Sequence, residues 1–289
     1  MPSFILDDPT PADPRRHWDR LDTAARGACY DNTAAVPDSA AQVAARNAAS
    51  ALYRAAHPAG LDIAYADGAR TGFDLYPARE AHAPCLVFIH GGYWQRNARA
   101  DFACLAEGPN AAGWSVAMPG YTLAPEAGLA GIAAEIGAAL DWLAAYGPAH
   151  GIAGPVVLAG WSAGAQLAAL HLGHPAVAAG LAISGVYDLA PIRETYLNEK
   201  LALTDPEIET LSPLRLPGIG KPMTLAYGSR ELPALVHDAR NLHALRSAAH
   251  LPGALLPVPD ADHFSILDGF RRSDGLLVRA AQACLGGLR

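Results

Sequence analysis

The chain has 289 residues, of which 51% are hydrophobic and 17% charged, with a formal net charge of -7; this suits a large buried core and excludes disordered and fibrous classes. The acidic balance argues against nucleic acid and anionic membranes as partners. The opening MPSFILDDPTPADPRRHW has acids and prolines where a secretion signal needs a basic start and an apolar run, and no stretch reaches ~20 uninterrupted apolar residues, so a cytoplasmic chain without a membrane span is expected. Cys29, Cys85, Cys104 and Cys284 are scattered without a CxxC pair, which fits core thiols in a reducing compartment and gives no metal site.

Residues 1–60 read as a helical arm, with Asp38 and Ser39 as caps for AAQVAARNAASALYRAA. Within it YDNTAAVPD, residues 30–38, combines an aromatic, an amide and a Val-Pro turn and does not resemble a linker. LDIAYADGARTGFDLYPA alternates apolar positions on either side of Asp67-Gly68, predicting a hairpin of two antiparallel strands. From there strands and helices alternate. Strands are predicted at residues 85–89, 115–118, 156–159, 180–184, 223–227 and 254–258, and helices at 98–112, 128–146, 163–170, 233–249 and 264–285. That rhythm specifies an α/β fold, a mostly parallel central sheet with an antiparallel amino-terminal hairpin and helices on both faces. Residues 186–221 hold only short helical pieces, TYLNEKL and DPEIETL, and are expected to form a small cap within a single domain spanning 1–289.

The chemistry gathers at the carboxyl ends of the strands, where open α/β sheets place their sites. VVLA runs into Gly160-Trp161-Ser162-Ala163-Gly164 and then into an Ala/Leu helix. Strand, sharp turn and helix around Gly-x-Ser-x-Gly make a nucleophile elbow, which presents Ser162 as the nucleophile. His90-Gly91-Gly92-Tyr93-Trp94 follows another buried strand; the adjacent glycines Gly91 and Gly92, with Ala163 after the nucleophile, are expected to turn backbone N–H groups toward an oxyanion. A serine needs a base, and His263 in PDADHFSIL lies just past the last strand. His90 is expected to brace its loop, and His171 and His174 match a metal pair in spacing only. Glu231, after the penultimate strand, is expected to orient His263, with Asp238 in the next helix as the reserve candidate. The order Ser162, Glu231, His263 is that of α/β-hydrolases.

On these residues the chain resembles the α/β-hydrolase superfamily and, within it, the arylformamidase (kynurenine formamidase) branch with its HGGxW signature. The resemblance spans YDNTAAVPD, HGGYW, YTLAPEA, GWSAG, SGVYDLAPI, TYLN, LSPL and DADHF, while SRELPAL departs from the acid-x-Pro-Glu-Phe pattern usual around the triad acid. The resemblance implies a serine hydrolase of tryptophan catabolism that releases formate from an N-formylated aromatic amine. It also implies that the Tyr30 to Asn32 segment covers the site and that Trp94 contributes to its wall. Tyr93, Trp161 and Phe264 sit beside motif residues and are further candidates for a flat aromatic slot. Arg96, Asn198 and Arg230 are candidates for the far end of the substrate. The expected partner is a small aromatic amide or ester, with no cofactor and a homodimer as a possible assembly. The alternatives are a carboxylesterase, amidase or carbamate hydrolase with the same triad and, more distantly, a non-catalytic binding protein on this scaffold.

Overall fold

A computed structural model describes residues 14–286. Eight strands form one sheet: β1 (Ile63–Ala64), β2 (Gly72–Tyr76), β3 (Cys85–Ile89), β4 (Ser115–Pro119), β5 (Val156–Trp161), β6 (Val177–Ile183), β7 (Met223–Gly228) and β8 (Leu255–Val258). Their order is β1-β2-β4-β3-β5-β6-β7-β8. The first two pairings, β1 with β2 and β2 with β4, are antiparallel, and the rest are parallel. Every residue of β3, β4 and β5 is buried, as expected of central strands covered on both faces.

Side chains alternate across the pleat. Cys85, Val87 and Ile89 enter one apolar layer. The long helices are α1 (Ser39–Ala56), α2 (Leu129–Tyr146), α3 (Ala163–Leu170), α4 (Pro233–Ala248) and α5 (Leu276–Gly286). Helices α2, α3 and α4 supply the layer beneath Cys85, Val87 and Ile89. Leu86 and Phe88 enter the other, with α5 and the 3-10 helix Arg99–Ala106. The segment Leu129–His150 is long and apolar enough to cross a bilayer, but its Ile132, Ile136, Leu140 and Leu143 stripe is buried in the core, where each side chain is worth roughly 2 kcal/mol in transfer free energy. Helix α1 lies over Arg99–Ala106, tied to it by Ser50 Oγ donating to the Asp101 carbonyl at 2.9 Å.

Three predicted elements differ in detail. Residues 98–112 form a 3-10 helix followed by a single α-turn, Glu107–Ala111, in which Gly108 approaches the Phe270 and Arg272 carbonyls so closely that a Cβ would collide with them. Residues 264–285 break into a 3-10 helix, Ser265–Phe270, and α5, because Gly275 folds back onto the Gly269 carbonyl. At the hairpin, Thr71 Oγ1 donates to the carbonyls of Ala66 and Gly68, which closes a wide turn and leaves β1 only two residues long.

Candidate active site

Strand β5 ends in an abrupt reversal: Ser162 has φ 56° and ψ -120°, and α3 begins at the next residue. A non-glycine residue held in that region is strained, and the surrounding packing must enforce it. A Cβ on Gly160 would strike the Gly164 carbonyl, and one on Gly164 would strike the Ile89 carbonyl, so both flanking positions require glycine. The Ser162 amide donates to the Ile183 carbonyl at 2.8 Å, which pins the elbow to β6. The N-terminus of α3 behind the hydroxyl favours negative charge.

Ser162 and His263 line one cavity of about 290 Å³. Among the described residues no hydrogen bond joins their side chains in this structure. His263 Nδ1 lies 3.2 Å from Glu231 Oε2, so its Nε2 is directed away from the carboxylate. Glu231 Oε1 accepts from the Gly228 amide at 2.6 Å and from Ser184 Oγ at 2.5 Å. These two donors hold the carboxylate in one orientation. Asp238 is turned elsewhere: its Oδ2 accepts the Tyr187 amide at 2.7 Å. Asp262 accepts the amides of Phe264 and Ser265 at 2.9 Å each, shaping the turn that carries His263; despite burial, hydrogen bonds to these amides hold its carboxyl below the usual range. Trp161 completes the support, its Nε1 donating to the His263 carbonyl at 2.8 Å.

The loop after β3 faces the same cavity. The Gly91 carbonyl accepts from Asn97 Nδ2 at 3.0 Å and lies 2.9 Å from His90 Nδ1. Because a trans peptide sets C=O and N–H on opposite sides, the next amide, that of Gly92, is turned away from these partners, and Gly92 lines the cavity. A Cβ on Gly91 would lie 2.6 Å from the Trp161 carbonyl. The loop therefore packs directly against the elbow. His90 is buried and stacked between Tyr121 and Phe102. Burial pushes its pKa down to about 4, which keeps the brace neutral.

Of the predicted wall residues, Asn32, Tyr93, Trp161 and Phe264 line the cavity. Tyr30 and Trp94 do not; both are fully buried behind it. Trp94 turns inward because its Nε1 finds Gln166 Oε1 at 3.2 Å, and Tyr30 offers its carbonyl to Tyr93 Oη at 2.6 Å. Arg96 is at the cavity, whereas Arg230 is exposed elsewhere and Asn198 Oδ1 accepts the Leu203 amide. No residue of 186–221 lines the cavity; the cover comes from the arm, through Asn32, Thr33, Ser39, Ala40, Val43 and Arg46. Thr33, Ser39, Ala40, Val43 and Arg46 are site-lining residues without a motif of their own; for those in α1, helical spacing puts positions 39, 43 and 46 on one face, which is the signal the sequence offers. His171 and His174 are held apart from each other's chemistry, by the Ala133 carbonyl and Asp141 respectively, and among the described residues no three His, Cys, Asp or Glu side chains are grouped to hold a metal.

A family model described as alpha/beta hydrolase fold matches residues 86–239. The chain is similar to the kynurenine formamidase of Danio rerio, 26% identical over 244 residues, covering 78% of this chain and 82% of that protein. It is likewise similar to the kynurenine formamidase of Salmo salar, 27% identical over 226 residues, covering 72% and 76%. Among solved structures, a candidate thioesterase from Silicibacter is 28% identical with a TM-score of 0.78, covering 88% of this chain and 98% of that one. Esterase B from Lactobacillus rhamnosis, 22% identical with a TM-score of 0.66 and covering 89% and 95%, shares the fold.

Proposed function

We propose, from the premise that this chain belongs to the alpha/beta hydrolase fold family, that it is a serine hydrolase cleaving a small acyl group from an aryl amide, with an N-formylated arylamine of the N-formylkynurenine type as substrate. Ser162 Oγ attacks the carbonyl carbon while His263 Nε2 takes its proton. Glu231, fixed by Gly228 and Ser184, holds the imidazole tautomer and balances the imidazolium. The amides of Gly92 and Ala163, in the loop and elbow framed by Gly91, receive the developing oxyanion. His263 then protonates the departing amine, and water, activated by the same imidazole, releases formate from the acyl-enzyme. The apo hydroxyl and imidazole need to close only on substrate binding, when such hydrogen bonds tighten.

The observation carrying this reading is the Glu231–His263 pair opening onto the cavity that the strained Ser162 also lines. The formamidase specificity is supported by the likeness to kynurenine formamidases. The likeness to a candidate thioesterase favours a second reading, in which the same three residues open an ester or thioester. Comparing kcat/KM for N-formylkynurenine with that for short p-nitrophenyl esters separates the two. Ser162→Ala should lower kcat/KM by about 10³-fold or more and abolish fluorophosphonate labelling; a folded Ser162→Ala protein with undiminished turnover overturns the mechanism. Among the described residues the cysteines form no disulfide, which fits a reducing cytoplasm as its place of work.

A further inference from the structure

Arg46 differs from most inward-facing arginines in touching no carboxylate. Arg54 and Arg99 are paired with Asp74, and Arg271 with Glu107. Arg246 is held by the carbonyls of Ile219, Lys221 and Pro252. Arg46, like Arg246, is in no ion pair among the described residues, but it lines a cavity: its Nε donates to the Asp101 carbonyl at 3.1 Å and its Nη2 to Asn47 Oδ1 at 3.0 Å. Its guanidinium lies 4.0 Å from the centroid of the Phe102 ring and 6.0 Å from that of Trp161, the residue before the nucleophile. A cation withdrawn from water with no carboxylate in contact is costly, and the more distant charge of Asp101 only partly offsets its burial. Burial opposes its charge, as the downward pKa shift records. No aspartate or glutamate lines this cavity, and Arg96 of the loop after β3 lines it as well. Buried Asn32, which lines the same cavity, donates through Nδ2 to Tyr93 Oη at 3.0 Å, while among the described residues its Oδ1 has no partner. The cavity thus offers a guanidinium and an unused acceptor on the side built by the arm.

We propose that Arg46 is a specificity-determining residue that receives an anionic group carried by the leaving amine of the substrate. The inference rests on the formamidase reading above, because a formyl group has no room for a charge and the anion must then sit on the leaving group. A carboxylate placed against Arg46 gains a charge-assisted bond in partly desolvated surroundings, whereas a neutral leaving group leaves the cation uncompensated in both free and bound enzyme.

The test uses the wild-type full chain with ortho-, meta- and para-formamidobenzoates and the matching formamidobenzamides, which differ in charge and little in shape. The expected result is a kcat/KM at least tenfold higher for the acid than for the amide in at least one isomer, shrinking as salt rises from 20 to 500 mM, as screening requires. In Arg46→Gln that ratio should collapse toward one, chiefly through KM for the acid, and Arg46→Lys should restore part of it. If Arg46→Gln does not fold, the wild-type ratio and its salt dependence still decide. A wild-type ratio near one for all three isomers, a ratio unchanged in folded Arg46→Gln, or a ratio lost only in Arg96→Gln overturns the assignment to Arg46. Fluorophosphonate labelling with turnover of esters but of no formamide overturns the formamidase reading and this inference together, whereas formamide turnover without charge preference overturns this inference alone.

Discussion

Glu231 and Asp238 are both buried carboxylates near the end of β7, and their partners separate their roles. Glu231 touches His263, Ser184 and Gly228, whereas Asp238 accepts backbone amides at 187 and 188. Glu231→Gln keeps the shape and loses the charge, so kcat/KM should fall by about 10³- to 10⁴-fold with little change in melting temperature. Asp238→Asn should do the opposite, lowering the melting temperature while kcat/KM well below it stays near wild type; steady-state kinetics beside thermal melts on the two variants checks the contrast. Gly164→Ala pushes a methyl into the Ile89 carbonyl and should abolish either folding or activity, which expression yield and labelling would report. At this scale the elbow was legible because Gly160, Ser162 and Gly164 are neighbours in sequence and their constraint is local. Arg46 was not legible, since only tertiary packing brings it beside Trp161. Trp94 was misread for the same reason: an aromatic next to a motif faces Gln166 in the core, a choice made by a partner far along the chain.

Helix α1 forms the cavity cover, and its attachment is ionic at one end. Arg54 near its C-terminus and Arg99 beyond β3 both pair with Asp74 of β2, which is fully buried, and both also reach Asp62. Removing the shared carboxylate strands two guanidiniums. Asp74→Ala should therefore cost about 3 kcal/mol or more, read as a lower urea midpoint; a loss under about 1 kcal/mol would show that solvent screens these arginines effectively. Because α1 also carries Arg46, the same variant should raise KM. The helix predicted over 98–112 is continuous but changes from 3-10 to α at Glu107, whereas the one predicted over 264–285 is interrupted between Phe270 and Leu276. Helical periodicity survives such a short interruption, and this one is set where Gly275 meets the Gly269 and Arg272 carbonyls.

For the molecule as a whole, the pH response of stability follows from histidines kept neutral by burial. His90 and His171 both have pKa values pushed down to about 4, whereas an unfolded imidazole titrates near ~6.5. Between pH 6.5 and 4 the unfolded chain binds protons that the folded chain refuses, so stability is full above that window and falls as pH drops through it. Asp268, whose carboxyl burial raises, works in the opposite sense at the acid end. Melting temperature measured from pH 7.5 to 4.5 should decline, and His171→Gln should flatten the decline; an unchanged slope would mean that His171 titrates normally. The sheet was legible at this scale because apolar strands and amphipathic helices alternate from Cys85 onward. Two covers were expected, a cap from residues 186–221 and the Tyr30 to Asn32 segment of the arm; the cavity is lined by the arm, including Asn32, and by no residue of 186–221.

That the arm supplies one wall and the sheet loops the other has a consequence for how such an enzyme diversifies. In the proposed mechanism bond breaking rests on Ser162, Glu231 and His263, none of which belongs to α1, so mutations along positions 39, 43 and 46 should alter which molecules are admitted and leave that machinery in place. Grafting this helix onto another hydrolase of the fold is accordingly the experiment that asks whether selectivity travels with the arm while catalysis stays with the sheet.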